Sequence, residues 1–271
     1  MRGKKVLFVS DLDGTLLQSD ATLSNDTASK INELSRNGVL FSYATARSLT
    51  TSKKVTQGIE VSLPVITHNG VFICDYQTGE ILIGNYFNDE IKEVITQLIS
   101  HDIYPIVYSM IDGKECFSYL KDHGSEGMKQ FLDTRMNDPR RKEVTSIEKL
   151  LEGHIYYLTC IDLETKLYSE YITYKDVYHC VYEKDFYSKH QWLELIPQGV
   201  SKASAILQLK EYLHCDYVIC FGDGKNDIEM FSVCDESYAM SNAHDDLKAI
   251  ATSVIGSNDE DAVCKTIEAM V

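Results

Sequence analysis

A chain of 271 residues with 44% apolar side chains can build one large hydrophobic core or two of ordinary size, so disorder is not the default. Its 26 basic residues face 41 acidic ones, a formal charge of −15 that opposes unspecific binding to nucleic acid or anionic membrane. An anionic substrate would then need local compensation. No apolar run reaches the length of a membrane span, and the start of the chain is too short in apolar residues for a signal-peptide core, so a cytoplasmic protein is expected. The eight cysteines (74, 116, 160, 180, 215, 220, 234, 264) form no Cys-x-x-Cys pair and no zinc-type spacing with histidine, the pattern of reduced, mostly buried thiols.

The run 6–9 is short, β-branched and aromatic, as buried parallel strands are, and it leads into Asp11-Leu12-Asp13-Gly14-Thr15-Leu16. Ser24 can cap a helix on which Ala28, Ile31 and Leu34 share a face and which Gly38 closes. A strand is predicted at 39–44, a helix at 48–57 and a short strand at 64–67, with Asn69-Gly70 and Thr78-Gly79 punctuating hairpins that reach 81–84. This opening third reads βαβαβ. From about residue 86 the strands lengthen and gain tyrosine, at 103–110, 116–120, 155–161 and 178–186, with helical spacing at 88–101 and 164–175. The span 122–150 is polar and charged, with one helix around 125–135. The run 192–197 then opens a strand-helix-strand-helix series that carries the apolar strand 217–221 and, behind it, Gly222-Asp223-Gly224-Lys225-Asn226-Asp227. The fold expected is α/β: a Rossmann-like, doubly wound parallel-sheet core formed by 1–85 and 190–271, split by an inserted α+β domain at 86–189.

Both acidic clusters follow strands, and open α/β sheets bind ligands beyond the carboxyl ends of their strands. Asp11 and Asp13, two apart on extended chain, project to one side roughly 7 Å apart, so that one can bind metal or attack while the other handles protons. A turn or a solvated strand end explains most such pairs taken alone. A calcium loop is excluded, since it needs Gly at its sixth position and Glu at its twelfth, where this chain has Leu16 and Thr22; the second cluster has Ile228 at its sixth. Glycines on both sides of Asp223 allow the unhindered backbone that a metal ligand at a strand end needs, and Asp227 opens a helix four residues on. In Ala44-Thr45-Ala46-Arg47 a hydroxyl and a guanidinium suit phosphate oxygens, although Thr45 reads as well as a helix cap. Lys202 sits in the first turn of a helix, against the dipole, which a bound phosphate or simple surface exposure would explain. His68, beside Asn69-Gly70, is either a substrate contact or part of a structural turn. Arg135, Arg140, Arg141 and Lys142 are either an anion grip or, preferentially, a solvated charged stretch.

In this order, the Asp11–Leu16 motif, Thr45, Lys202 and the Gly222–Asp227 motif resemble the haloacid dehalogenase superfamily of phosphatases. The inserted domain, with Asn69-Gly70 and Ala239-Met240-Ser241-Asn242-Ala243, resembles its Cof-type branch, which has a large α/β cap (subfamily IIB-like). The resemblance spans essentially the whole chain, by motif in the core and by layout in the cap. It implies that Asp11 is the nucleophile that forms an aspartyl-phosphate, and that Asp13 protonates the leaving alcohol and then activates water. It further implies Mg²⁺ bound by the carboxylates of Asp11 and Asp223 and by the backbone carbonyl of Asp13, with Asp227 close by, and phosphoryl oxygens held by Thr45, Lys202 and Asn226, beside Arg47. Ala46 departs from the glycine that many relatives have there, which narrows the backbone's approach to phosphate. Keeping Asp13 separates the chain from haloalkanoate dehalogenases, which lack the second acid and the metal.

The expected function is an Mg²⁺-dependent phosphomonoesterase acting on small phosphorylated metabolites, sugar phosphates ahead of nucleotide or cofactor phosphates, with neither nucleic acid nor membrane as partner. No feature of the sequence sets an oligomeric state. One alternative is a phosphosugar mutase like the phosphomannomutases, which needs a second anion grip in the cap, for which 135–142 is the one candidate. Another is a non-catalytic ligand sensor, which would be expected to have lost one of the four aspartates.

Overall fold

The computed structural model describes residues 3–184 and 190–271. The chain divides into two compact units, Met1–Gly84 with Val200–Val271, and Asn85–Gly199. The first unit begins with β1 (Val6–Ser10), α1 (Asn25–Arg36), β2 (Leu40–Tyr43), α2 (Leu49–Val55), β3 (Val65–Thr67), β4 (Phe72–Cys74) and β5 (Ile81–Gly84). The second holds α3 (Ile91–Ser100), β6 (Ile106–Ile111), β7 (Lys114–Leu120), α4 (Glu126–Asp133), β8 (Arg141–Val144), α5 (Ile147–Leu150), β9 (His154–Asp162), α6 (Glu164–Tyr174), β10 (His179–Lys184) and β11 (Gln191–Ile196). The first unit then resumes with α7 (Lys202–Tyr212), β12 (Tyr217–Gly222), α8 (Ile228–Val233), β13 (Glu236–Ala239), α9 (Asp245–Ile250), β14 (Ser253–Val254) and α10 (Ala262–Met270).

The first unit is built on a parallel sheet of order β14-β13-β12-β1-β2. Its central strands are buried along nearly their whole length, as strands covered on both faces must be. Helix α1 starts where Ser24 Oγ accepts the amide of Thr27, and its buried face is Thr27, Ile31 and Leu34. From β1 the chain runs outward to β2 on one side and returns through β12 and β13 on the other. The order therefore reverses between β1 and β12, where a doubly wound sheet opens a crevice beyond its strand ends. Register pairs Ser10 with Phe221, so the two acidic clusters leave the sheet side by side. Beyond β2, one parallel bridge, Ala44 to Ile66, leads into the antiparallel sheet β3-β4-β5. Its Asn69-Gly70 turn requires glycine: at φ +102° a Cβ on Gly70 would lie 2.1 Å from the carbonyl oxygen of Ser201, the residue that caps α7.

The second unit is a six-stranded sheet, β10-β11-β9-β6-β7-β8, antiparallel except for β7 against β8. On one face α3 and α6 bury Ile91, Ile95, Leu98 and Leu167 against Val107, Leu158 and Leu193; on the other, Met128 and Leu132 of α4 cover Ile106, Phe117 and Ile161. The expected core boundary at residue 190 is corrected here. The strand at 192–197 does not open the second half of the core but is β11, paired with β9 and β10, and the division falls between Gly199 and Val200. Of the strand expected at 178–186, Asp185 and Phe186 lie outside the described residues. The solvated stretch expected around 135–142 is also corrected. Arg140, its side chain only 10% exposed, donates to Asp138 at 2.9 and 2.7 Å and to Glu115 at 2.7 Å, so its charge is neutralised within the fold. Arg141 donates to the Tyr119 hydroxyl at 2.7 Å and Lys142 to Glu152 at 2.9 Å.

Cys220 on β12 and Cys234 after α8 are joined as a disulfide, with Cα atoms 6.2 Å apart, against the expectation of thiols throughout. The other six form no disulfide. Among the described residues no helix is long and apolar enough to cross a membrane.

Glu194 on β11 accepts from the Tyr157 hydroxyl at 2.7 Å, and burial pushes its carboxyl from an ordinary 4.5 up to about 7. An acid whose folded pKa is raised penalises folding at high pH. Between about 4.5 and 7 the unfolded chain ionises first, and above 7 the penalty is complete. Glu194→Gln is therefore expected to raise the unfolding free energy at about pH 8 by on the order of 1–3 kcal/mol, with the gain gone near pH 4.5. Urea denaturation at the two pH values checks this.

Candidate active site

The pairing of β1 with β12 delivers Asp11 and Asp223 to one place. Asp11 continues the ladder, its amide donating to the Phe221 carbonyl at 2.9 Å. The chain then folds back in a wide turn over Leu12–Leu16, anchored by the buried Leu12, Leu16 and Leu17. Gly14 is needed at its apex, since it has φ +75° and a Cβ there would lie 2.3 Å from Asp223 Oδ2. Two side chains to which sequence reasoning assigned no role brace this turn. Thr15 Oγ1 donates to Asp223 Oδ1 at 2.7 Å, and Asn242 Nδ2 donates to the Gly14 carbonyl at 2.8 Å while its oxygen accepts from the Asn258 amide at 3.1 Å. Both lie in stretches quoted for the family resemblance, which was the only signal for them.

Lys202, the first residue of α7, is buried with its ammonium between two carboxylates, 2.8 Å from Asp11 Oδ1 and 2.8 Å from Asp227 Oδ1. The reading of Lys202 as a surface residue is thereby excluded. The other oxygen of Asp227 accepts the amides of Asp223 and Gly224, each at 3.0 Å, so three donors orient this fully buried carboxylate. Oxygens of Asp11, Asp223 and Asp227 lie within 4.8 Å of one another.

Burial pushes the Asp11 carboxyl well above the usual range; Lys202 opposes the shift, while Asp227 and Asp223 add to it. Burial likewise pushes Asp223 up to about 6, against the Thr15 hydrogen bond. For Lys202 burial favours the neutral amine, but Asp11 and Asp227 outweigh it and hold the ammonium above the usual lysine range. Three carboxylates and one ammonium leave two formal negative charges in a largely buried cluster of hard oxygen donors, which fits Mg²⁺.

The remaining candidates are placed differently. The Asp13 carboxylate is outside the three-carboxylate cluster and takes a two-point pair from Arg47, Nε to Oδ2 at 2.7 Å and Nη2 to Oδ1 at 2.5 Å. Thr45 is buried, and its hydroxyl accepts the Arg47 amide at 3.1 Å; the cap of α2 is Ser48, which excludes that reading of Thr45. Asn226 is exposed in the short 3₁₀ turn Lys225–Asp227, its oxygen folded over Gly224. His68 is buried and packs edge-on against Phe72, with centroids 5.7 Å apart.

From residue 8 to 267 the chain matches the haloacid dehalogenase-like hydrolases. It belongs to that family. The 5-amino-6-(5-phospho-D-ribitylamino)uracil phosphatase YitU of Bacillus subtilis is 26% identical over 283 residues, 99% of this chain and 98% of its own. A crystal structure from Thermotoga maritima superposes with a TM-score of 0.81 at 25% identity, covering 99% and 98%. The structure of a haloacid dehalogenase subclass IIB sugar phosphatase shares the fold, with a TM-score of 0.74 at 20% identity over 98% of both chains. The expected superfamily and its α/β core with an inserted α+β unit hold, and as an enzyme the chain stands with the phosphatases of that family.

Proposed function

We propose that this haloacid dehalogenase-like hydrolase is an Mg²⁺-dependent phosphomonoesterase of small phosphorylated metabolites, sugar phosphates foremost, working through an aspartyl-phosphate on Asp11. The observation that carries this reading is the buried Asp11 carboxylate at the end of β1, with the Lys202 ammonium at 2.8 Å and Asp223 and Asp227 beside it. Asp11, Asp223 and Asp227 would hold Mg²⁺, with the Asp13 carbonyl, and its charge would offset the repulsion between carboxylate and phosphoryl group. An oxygen of Asp11 attacks phosphorus, the bond to the ester oxygen breaks, and protonated Asp13 gives its proton to the departing alcohol. Asp13, now a carboxylate, takes a proton from water as that water attacks phosphorus; the bond to Asp11 breaks and inorganic phosphate leaves. Lys202, Thr45, Asn226 and Arg47 hold the phosphoryl oxygens as charge spreads over them.

The name of the Bacillus subtilis relative describes a phosphorylated ribityl group, a sugar-alcohol ester, which supports the same substrate class here. Hydrolysis is favoured over phosphosugar mutation because Arg140, central to the one candidate for a second anion grip, is already neutralised by Asp138 and Glu115. All four aspartates are present, which argues against a sensor.

A phosphate-release screen over a few dozen phosphorylated metabolites tests the proposal. Sugar or sugar-alcohol phosphates are expected to be turned over with Mg²⁺, and EDTA is expected to stop release until Mg²⁺ is restored. Hexose 1-phosphate formed from hexose 6-phosphate without free phosphate would support the mutase instead.

A further inference from the structure

We propose that Arg47 is a positioning residue for Asp13, and that the phosphoryl group of the substrate competes with Asp13 for the Arg47 guanidinium. The inference rests on the phosphatase reading and deepens it. Arg47 commits Nε and Nη2 to the two oxygens of Asp13. A planar guanidinium takes a carboxylate or a phosphoryl group through the same two-point geometry, so the two anions contest the same N–H groups.

The two partners are held unequally. The Arg47 backbone is fixed at both ends, its amide donating to Thr45 Oγ1 at 3.1 Å and its carbonyl accepting from the His68 amide at 3.0 Å. Thr45 is tied in turn, its amide to the Ile66 carbonyl and its carbonyl to the Asn69 amide, each at 3.0 Å. The Asp13 side chain is 50% exposed against 27% for Arg47, and it precedes the left-handed Gly14. The guanidinium is thus built into its loop, and the aspartate is the partner with room to turn. The charge of Asp11 also acts on Arg47, which places the guanidinium within electrostatic reach of the nucleophile.

Without substrate, Asp13 is occupied. When a phosphoryl group takes the guanidinium, the released Asp13 carboxylate takes up a proton from solvent and can then serve the ester oxygen, so a proton donor forms only once phosphorus is in place. A partly exposed ion pair is weak enough for a substrate to displace.

Calorimetric titration of the full chain with inorganic phosphate in the presence of Mg²⁺ tests this. Asp13→Ala is expected to tighten phosphate binding by about fivefold, the scale of one partly exposed ion pair. In an Arg47→Met background, which keeps the packing of the stem, the same substitution is expected to change affinity by less than about twofold. Arg47→Lys is expected to restore part of the tightening, because a single ammonium can still be contested. A merely structural Arg47 predicts no such recovery. Phosphate binding with equal tightening in the Arg47 and Met backgrounds overturns the proposal alone. A wild-type protein that binds no phosphate contradicts the phosphatase reading and the proposal together.

Discussion

Asp11→Asn is expected to abolish turnover, lowering kcat by about 10⁴-fold or more, because an amide oxygen is a far poorer nucleophile toward phosphorus. Folding is expected to survive. The amide oxygen still accepts from Lys202, and the charge removed is one that burial, Asp227 and Asp223 all disfavour. For an acid whose folded pKa is raised, the penalty on folding is present above that pKa and relieved below it. Removing the ionisable group therefore removes a cost paid at neutral pH, and without Mg²⁺ the variant should unfold at the same temperature as wild type or higher. The signature is an inactive protein of undiminished stability whose stabilisation by Mg²⁺ is weakened. Steady-state kinetics and thermal unfolding with and without Mg²⁺ read both halves. Wild-type rates of phosphate release would contradict the assignment of Asp11.

Lys202→Met is expected to have the largest effect on stability. The stem is replaced in kind, but the Asp11 and Asp227 carboxylates lose the ammonium 2.8 Å from each. Breaking a buried ion pair from one side costs about 3–5 kcal/mol, since the remaining charge is left uncompensated. The direction of the pH dependence follows from the shifts. The folded pKa of Lys202 lies above the usual lysine value, so its contribution is complete at neutral pH and is lost only as pH rises through that folded pKa. On the acid side the difference between variant and wild type should narrow, because Asp11, itself shifted upward, takes up a proton. Adding Asp11→Asn to Lys202→Met should recover a large part of the loss, and adding Mg²⁺ some of it. Guanidinium denaturation of the single and double variants, at neutral and mildly acid pH, measures each quantity. Activity is expected to fall as well, by about 10²–10³-fold, through loss of a charge aimed at the phosphoryl group.

Much of this site was legible because its residues sit at the ends of local patterns. Short β-branched runs ending in acidic clusters mark strand termini, and β1 lying beside β12 carries Asp11, Asp223 and Asp227 together without further information. Lys202 stood out as a cation at the wrong end of a helix, and the two carboxylates against it supply the reason. What the sequence concealed depends on partners far along the chain. The alternation in Gln191–Ile196 suits a core strand as well as a strand of the inserted sheet, and only its pairing with β9 decides between them. Arg47 was read as a group suited to phosphate oxygens, and composition cannot say that the anion it holds here is Asp13. Thr15 and Asn242 had no role assigned from sequence, because their hydrogen bonds reach across more than two hundred residues of it. Arg140 shows the reverse error, a charged stretch taken for solvated surface when Glu115 and Asp138 were positioned to bury it.

The central claim is that the two acidic clusters form one phosphoryl-transfer site in which Asp11 carries the phosphoryl group. It is tested most directly by acid-quenching the Asp13→Asn protein during its first turnover of an activated phosphate ester with Mg²⁺, then mapping the peptides by mass spectrometry. Slowed hydrolysis should let the intermediate accumulate, and the account predicts a base-labile phosphoryl group on the peptide containing Asp11. A phosphoryl group on any other side chain, or an unmodified Asp11 peptide while first-turnover phosphate is released, would contradict it.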